Sequence, residues 1–135
     1  MTSLEALFDA AKAARNKAYA PYSRFHVGAA ILANDGRIYA GCNVENAAYP
    51  SGTCAEAGAL AAMILGGAGI IKAILVVGAG PLLCTPCGNC RQRIREFAKP
   101  QTPVHVADET GIRQSFTLEA LLPASFGPDH LDHLA

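Results

Sequence analysis

The sequence predicts an α/β fold built on a mixed sheet, and three observations carry that prediction. Asn34-Asp35-Gly36 is a hairpin turn between an apolar strand, 25–33, and a returning strand, 37–43, so the first two strands pair antiparallel. Residues 70–77 form a continuous apolar run with β-branched side chains, which suits a strand covered on both faces. Helical and strand patterns then alternate through the second half, which implies parallel pairing there.

Each element has its own signal. Leu4, Leu7, Phe8 and Ala11 recur at helical spacing, so residues 3–19 read as an amphipathic helix. Thr2 and Glu5 have the spacing of a capping box at its start, and Pro21 stops it. Residues 54–65 are rich in Ala and Leu and apolar on every side, the mark of a buried helix, and Gly66-Gly67 ends it. Residues 88–97 read as a helix, 103–107 as a strand and 118–122 as a short helix, with loops and turns from Pro123 onward. Gly66-Gly67 and Gly78-Ala79-Gly80 are ordinary turns; a phosphate loop at the second would need glycine where Leu83 stands. With no repeat, linker or low-complexity segment, residues 1–135 are expected to form a single domain.

The composition narrows the function. The chain is 51% hydrophobic and 16% charged with a formal net charge of zero, enough apolar material for a core. No basic stripe exists, so a small ligand is expected and no nucleic acid. The first fifteen residues lack a basic segment leading into an apolar one, and Lys72 interrupts the longest apolar region. Neither a signal peptide nor a membrane span is therefore expected. Cys42, Cys54, Cys84, Cys87 and Cys90 are odd in number, and three fall within seven residues. That pattern argues against a disulfide framework and for a metal or catalytic role in the cytoplasm. His26, His105, His130 and His133 have no ligand spacing among them and receive no role.

Two features break the local rules. Glu56 is the one charge in an otherwise apolar helix, and a buried lone carboxylate is costly unless something pairs with it. The bland alternative places it in an exposed first turn, favoured by the helix dipole. The second feature is Cys84-Thr85-Pro86-Cys87-Gly88-Asn89-Cys90, in which two Cys-x-x-Cys pairs overlap. Pro86 precedes a helix start, so Cys87 and Cys90 share one face near an N-terminus that stabilises thiolates.

Several chemistries compete for these cysteines. A structural zinc site would use Cys54, Cys84, Cys87 and Cys90; a catalytic one would use three ligands and leave a position for water. An iron–sulfur run would want cysteine where Ile94 stands. A thioredoxin-like pair would leave Cys54 and Glu56 unexplained, and the dense spacing makes five inert buried thiols a poor account. The catalytic zinc reading alone explains both features. Zinc-dependent base deaminases carry a recorded signature of His or Cys, then x-Glu, then Pro-Cys-x-x-Cys, in which the Glu is not a ligand. Cys54-Ala55-Glu56 and Pro86-Cys87-Gly88-Asn89-Cys90 match it in order.

At these residues the sequence resembles the cytidine deaminase family, of the short type with three cysteine ligands. The resemblance extends through Tyr22-Ser23-Arg24-Phe25, Val27-Gly28-Ala29-Ala30, Gly41-Cys42-Asn43-Val44-Glu45-Asn46-Ala47, Tyr49-Pro50, Cys90-Arg91-Gln92 and Leu121-Leu122-Pro123. It implies a three-layer α/β/α fold whose mixed sheet has about five strands. It also implies one Zn²⁺ per chain, held by Cys54, Cys87 and Cys90, with Glu56 as the catalytic proton carrier. Substrate contacts would come from Asn43 and Glu45 at the ribose hydroxyls, Phe25 and Phe126 around the pyrimidine, Tyr49 near the ribose 5′ end and the backbone at Ala55. Phe126 would reach from a neighbouring subunit of a homotetramer. The implied activity is hydrolytic deamination of cytidine and deoxycytidine in pyrimidine salvage. The alternatives are a deaminase of the same fold for another aminopyrimidine nucleoside, such as a cytosine-containing antibiotic, and a non-catalytic four-cysteine zinc module.

One position departs from the family. Much of it carries Arg directly after the catalytic Glu, donating to the zinc thiolates; here that residue is Ala57. Arg91, next to Cys90, is the nearest cation in sequence and the candidate replacement, with Arg93 and Arg95 following; otherwise Arg91 is a solvated helix residue.

Overall fold

The computed structural model describes residues 3–132. Thr2, half of the expected capping box, and His133 lie outside the described residues. Helix α1 spans Ser3–Arg15, and strands β1 (Gly28–Ala33) and β2 (Ile38–Cys42) flank the Asn34-Asp35-Gly36 turn. Helix α2 (Ala55–Leu65), strand β3 (Ile71–Val77), helix α3 (Gly88–Phe97), strands β4 (Pro103–Asp108) and β5 (Gly111–Thr117) and helix α4 (Leu118–Leu121) follow. Tyr49–Ser51 and Pro128–His130 form single 3-10 turns.

The strands make one five-stranded sheet in the order β2-β1-β3-β4-β5. β1 pairs antiparallel with both β2 and β3, β3 runs parallel to β4, and β4 pairs antiparallel with β5. Alternation along the central strands separates two apolar layers. Ile74 and Val76 of β3 join Ala29 and Ile31 of β1 beneath Ala59, Met63 and Ile94 of α2 and α3. Leu75 and Val77 join Ala30 beneath Leu7 and Ala11 of α1. The fold is thus a mixed sheet with helices on both faces, as the resemblance implies.

Two glycines let the helices lie close to the sheet. A Cβ on Gly28 would sit 2.0 Å from the Ala11 carbonyl oxygen, and one on Gly41 would sit 2.3 Å from the Ala59 nitrogen. Any side chain at Gly41 would push α2 off β2, and with it the residues at the start of α2.

The structure corrects two boundaries and adds a strand. α1 stops at Arg15, because residues 16–19 turn so that Tyr19 can bridge to Val44. β1 begins at Gly28 rather than at Phe25, because the Asn43 side chain engages the backbone before it. β5 gives no strand signal in the sequence: Arg113, Gln114 and Ser115 are polar and exposed on an edge strand.

Candidate active site

Two helix N-termini converge on the site. Cys54 precedes α2 in extended conformation (φ −80°, ψ 157°), and Cys87 precedes α3 in the same way (φ −66°, ψ 168°). Neither sulfur caps its own helix, so both remain available as ligands. Cys90 follows in the first turn of α3 and is fully buried. The sulfurs of Cys54, Cys87 and Cys90 lie within 4.8 Å of one another, and the Cys54–Cys87 pair is 3.9 Å apart. Zn–S bonds of about 2.3 Å in tetrahedral array put sulfurs about 3.8 Å apart, so this donor set fits Zn²⁺. Cys84 is outside the cluster and packs against Gly78, where a Cβ would come within 2.7 Å of its sulfur.

Burial is the largest electrostatic influence on the cluster. Burial pushes the Cys54 and Cys90 thiols up from their ordinary value. Burial also raises Cys87, but hydrogen bonds from the Cys90 amide and with the Cys90 and Cys54 thiols outweigh it and leave Cys87 lowered. Glu56 is only 4% exposed in the first turn of α2, and burial raises its carboxyl. A carboxyl moved upward in this way is closer to the range in which it can both take and give a proton.

A cleft of about 370 Å³ opens beside the cysteines, within the size range of small-molecule pockets. Phe25, Asn43, Glu45, Ala55 and Glu56 line it together with Cys54 and Cys87. The Asn43 amide donates to the Phe25 carbonyl (2.8 Å) and its oxygen accepts from the Val27 N–H (2.9 Å), which fixes the wall that carries Phe25. Glu45 accepts from the Tyr22 and Ser23 N–H groups (3.0 and 3.1 Å) and from the Ser23 hydroxyl. These bonds hold the Glu45 carboxyl below its ordinary value. Tyr49 lines a second cleft that shares Glu45 and Gly52 with the first. Phe126 lies elsewhere, 56% exposed, in a groove with Gln92 and Glu96.

Sequence reasoning did not single out Val27, Val44, Thr53 or Thr85, which also line the cleft. Val44 and Thr53 meet only through an isolated bridge between loops, which leaves no periodic trace. The expectation for Arg91 is corrected. Its guanidinium donates to the carbonyls of Pro86 and Leu121 (2.8 Å each) and to the Thr85 hydroxyl (3.3 Å), and to no cysteine. Arg93 reaches the Cys90 sulfur instead, at 3.4 Å. The signal was present: Cys90 and Arg93 are three apart on one helix face, whereas Arg91 is one residue round the helix.

Structural zinc sites are closed by four protein ligands, whereas a cluster of three thiols, two of which (Cys54 and Cys87) line a cleft beside a buried carboxyl, leaves a position for water. The protein is a zinc-dependent hydrolase of the α/β class. A family model described as "Cytidine and deoxycytidylate deaminase zinc-binding region" matches residues 1–106. A cytidine deaminase of Sporosarcina psychrophila is 43% identical over 134 residues, covering 98% of this chain and 97% of the relative. The crystal structure of cytidine deaminase from Burkholderia pseudomallei superposes with a TM-score of 0.85 at 46% identity, covering 93% of this chain and all of that one. That from Mycobacterium tuberculosis gives 0.80 at 37%, covering 94% and 99%. The chain belongs to the cytidine deaminase family.

Proposed function

We propose that the protein hydrolyses cytidine and deoxycytidine to uridine and deoxyuridine with release of ammonia. The observation that carries this reading is the buried Glu56 carboxyl on the same cleft as the Cys54–Cys87–Cys90 sulfur cluster, in a chain of this family. Cys54, Cys87 and Cys90 would hold the zinc, which when bound would supply the acidification of a water molecule to near neutrality. Glu56 takes one proton from the attacking water and passes it to ring N3 while the oxygen bonds to C4. It then gives the second proton to the exocyclic amino group, the C4–N bond breaks, and ammonia leaves a C4 carbonyl behind. Phe25 packs on the pyrimidine and the Ala55 backbone contacts it. Asn43 and Glu45 hold the ribose hydroxyls, with Tyr49 near the 5′ end.

The same reading extends to the setting. The chain acts as one domain over residues 1–135, in a homotetramer whose neighbouring copy supplies Phe126, in pyrimidine salvage in the cytoplasm. Five free cysteines suit a reducing compartment, and among the described residues no helix is long and apolar enough to cross a membrane. The four-cysteine module is disfavoured by the position of Cys84 outside the sulfur cluster. Incubating the purified protein with cytidine, and following ammonia and the ultraviolet change to uridine, tests the reading. A zinc-loaded protein that leaves cytidine intact overturns it.

A further inference from the structure

Three thiolates around one Zn²⁺ carry a net charge of about −1, and that excess needs an offset in a buried site. Several other arginines of the chain are committed elsewhere. Arg15 pairs with Glu109, Arg95 with Asp129 and Arg113 with Asp108, while Arg91 is taken up by two carbonyls and a hydroxyl. Arg93 differs. Among the described residues it makes no ion pair, and its Nη1 donates to the sulfur of fully buried Cys90 at 3.4 Å.

The neighbour across the helix interface makes that contact feasible. Arg93 lies on the second turn of α3 and lines one surface groove with Ala57 and Leu60 of α2. Ala57, one residue beyond Glu56, presents only a methyl group there. A long side chain at 57 would compete for the space the guanidinium shares.

We propose that Arg93 is a positioning residue for the metal. Its guanidinium, lying in the groove that Ala57 leaves open, donates to Cys90 and offsets the excess charge of the thiolate set, so that the zinc is retained. The inference rests on Cys54, Cys87 and Cys90 being the ligands. Groups that hydrogen-bond a metal ligand from outside typically contribute 10- to 100-fold to metal affinity.

Zinc transfer from the loaded protein to a competing chelator at neutral pH tests it. Arg93→Gln keeps most of the side chain but loses the charge, and zinc affinity should fall about 10- to 100-fold. Arg93→Lys, or Ala57→Arg added to Arg93→Gln, should recover much of that loss, because either returns a cation to the same groove. Arg93→Gln holding zinc as tightly as the parent overturns the proposal. So does a weakened Arg93→Gln that neither cation restores, since the loss is then one of packing. Cys90→Ala run alongside tests the ligand assignment separately: retention of zinc there refutes the ligand set whatever Arg93 does.

Discussion

Cys84 and Glu56 show that position relative to the sulfur cluster decides the role of a residue. Burial pushes the Cys84 thiol up to about 11, and its sulfur sits outside the cluster against Gly78. Its place outside the cluster, and not its raised value, sets it apart, since burial raises the ligand thiol of Cys90 as well. Cys84→Ala should therefore keep about one zinc per chain and most of the turnover, while alanine at Cys54, Cys87 or Cys90 should empty the site. Metal analysis of the four purified variants checks this, and zinc loss in Cys84→Ala alone would reverse the assignment. Glu56→Gln keeps the shape of the side chain but cannot carry protons. It should retain zinc and lose turnover by about a hundred- to ten-thousand-fold, the usual contribution of a general acid–base. Near-normal activity in a zinc-loaded Glu56→Gln protein would remove Glu56 from the mechanism.

At the scale of elements, α3 carries two loads. Its N-terminus presents Cys87 and Cys90, and its outer face holds the C-terminal segment: Gln92 donates to the Phe126 carbonyl (2.9 Å) and Arg95 to Ser125 and Asp129 (2.9 and 2.8 Å). In the loop after β2, Glu45 acts as a clamp beside Asn43: it collects the Tyr22 and Ser23 N–H groups and the Ser23 hydroxyl. Because these bonds lower the folded-state value of Glu45, the stability it contributes is present above its ordinary value of 4.5. That contribution is lost as pH falls through the lowered folded value. Glu45→Gln should accordingly melt below the parent at neutral pH, and the gap should close on acidification through this range. Melting temperatures of both proteins from pH 7 downward measure it; a gap that widens in acid would contradict the clamp.

For the whole molecule, the arrangement of Phe126 bears on assembly. The ring is 56% exposed, stacks on His130 at 4.8 Å between centroids, and belongs to a groove apart from the cysteine cleft of its own chain. In the homotetramer proposed above it closes a neighbour's cleft. Phe126→Ala should then raise KM for cytidine while zinc content stays unchanged, and light scattering of the parent should give four chains. A fully active monomer would rule the shared pocket out.

Much of this protein was determined by the sequence alone, where information is local. Hairpin chemistry at Asn34-Asp35-Gly36, the all-round apolar pattern of α2 and the β-branched run of β3 fix element types, because each depends on neighbours a few residues away. The zinc signature was legible as a match to a pattern known for zinc deaminases: Cys54-Ala55-Glu56 and Pro86-Cys87-Gly88-Asn89-Cys90 follow it in order, and each falls at a helix start. Tertiary structure decided the rest. Polar β5 became a strand because β4 offered it an edge, and α1 ended early because Tyr19 found Val44. It also decided which arginine reaches a sulfur, since Pro86, Leu121 and Thr85 capture Arg91 and leave Arg93 beside Cys90. A side chain's direction is set by the partners that packing brings within reach, and those partners lie as far as thirty residues away in the chain.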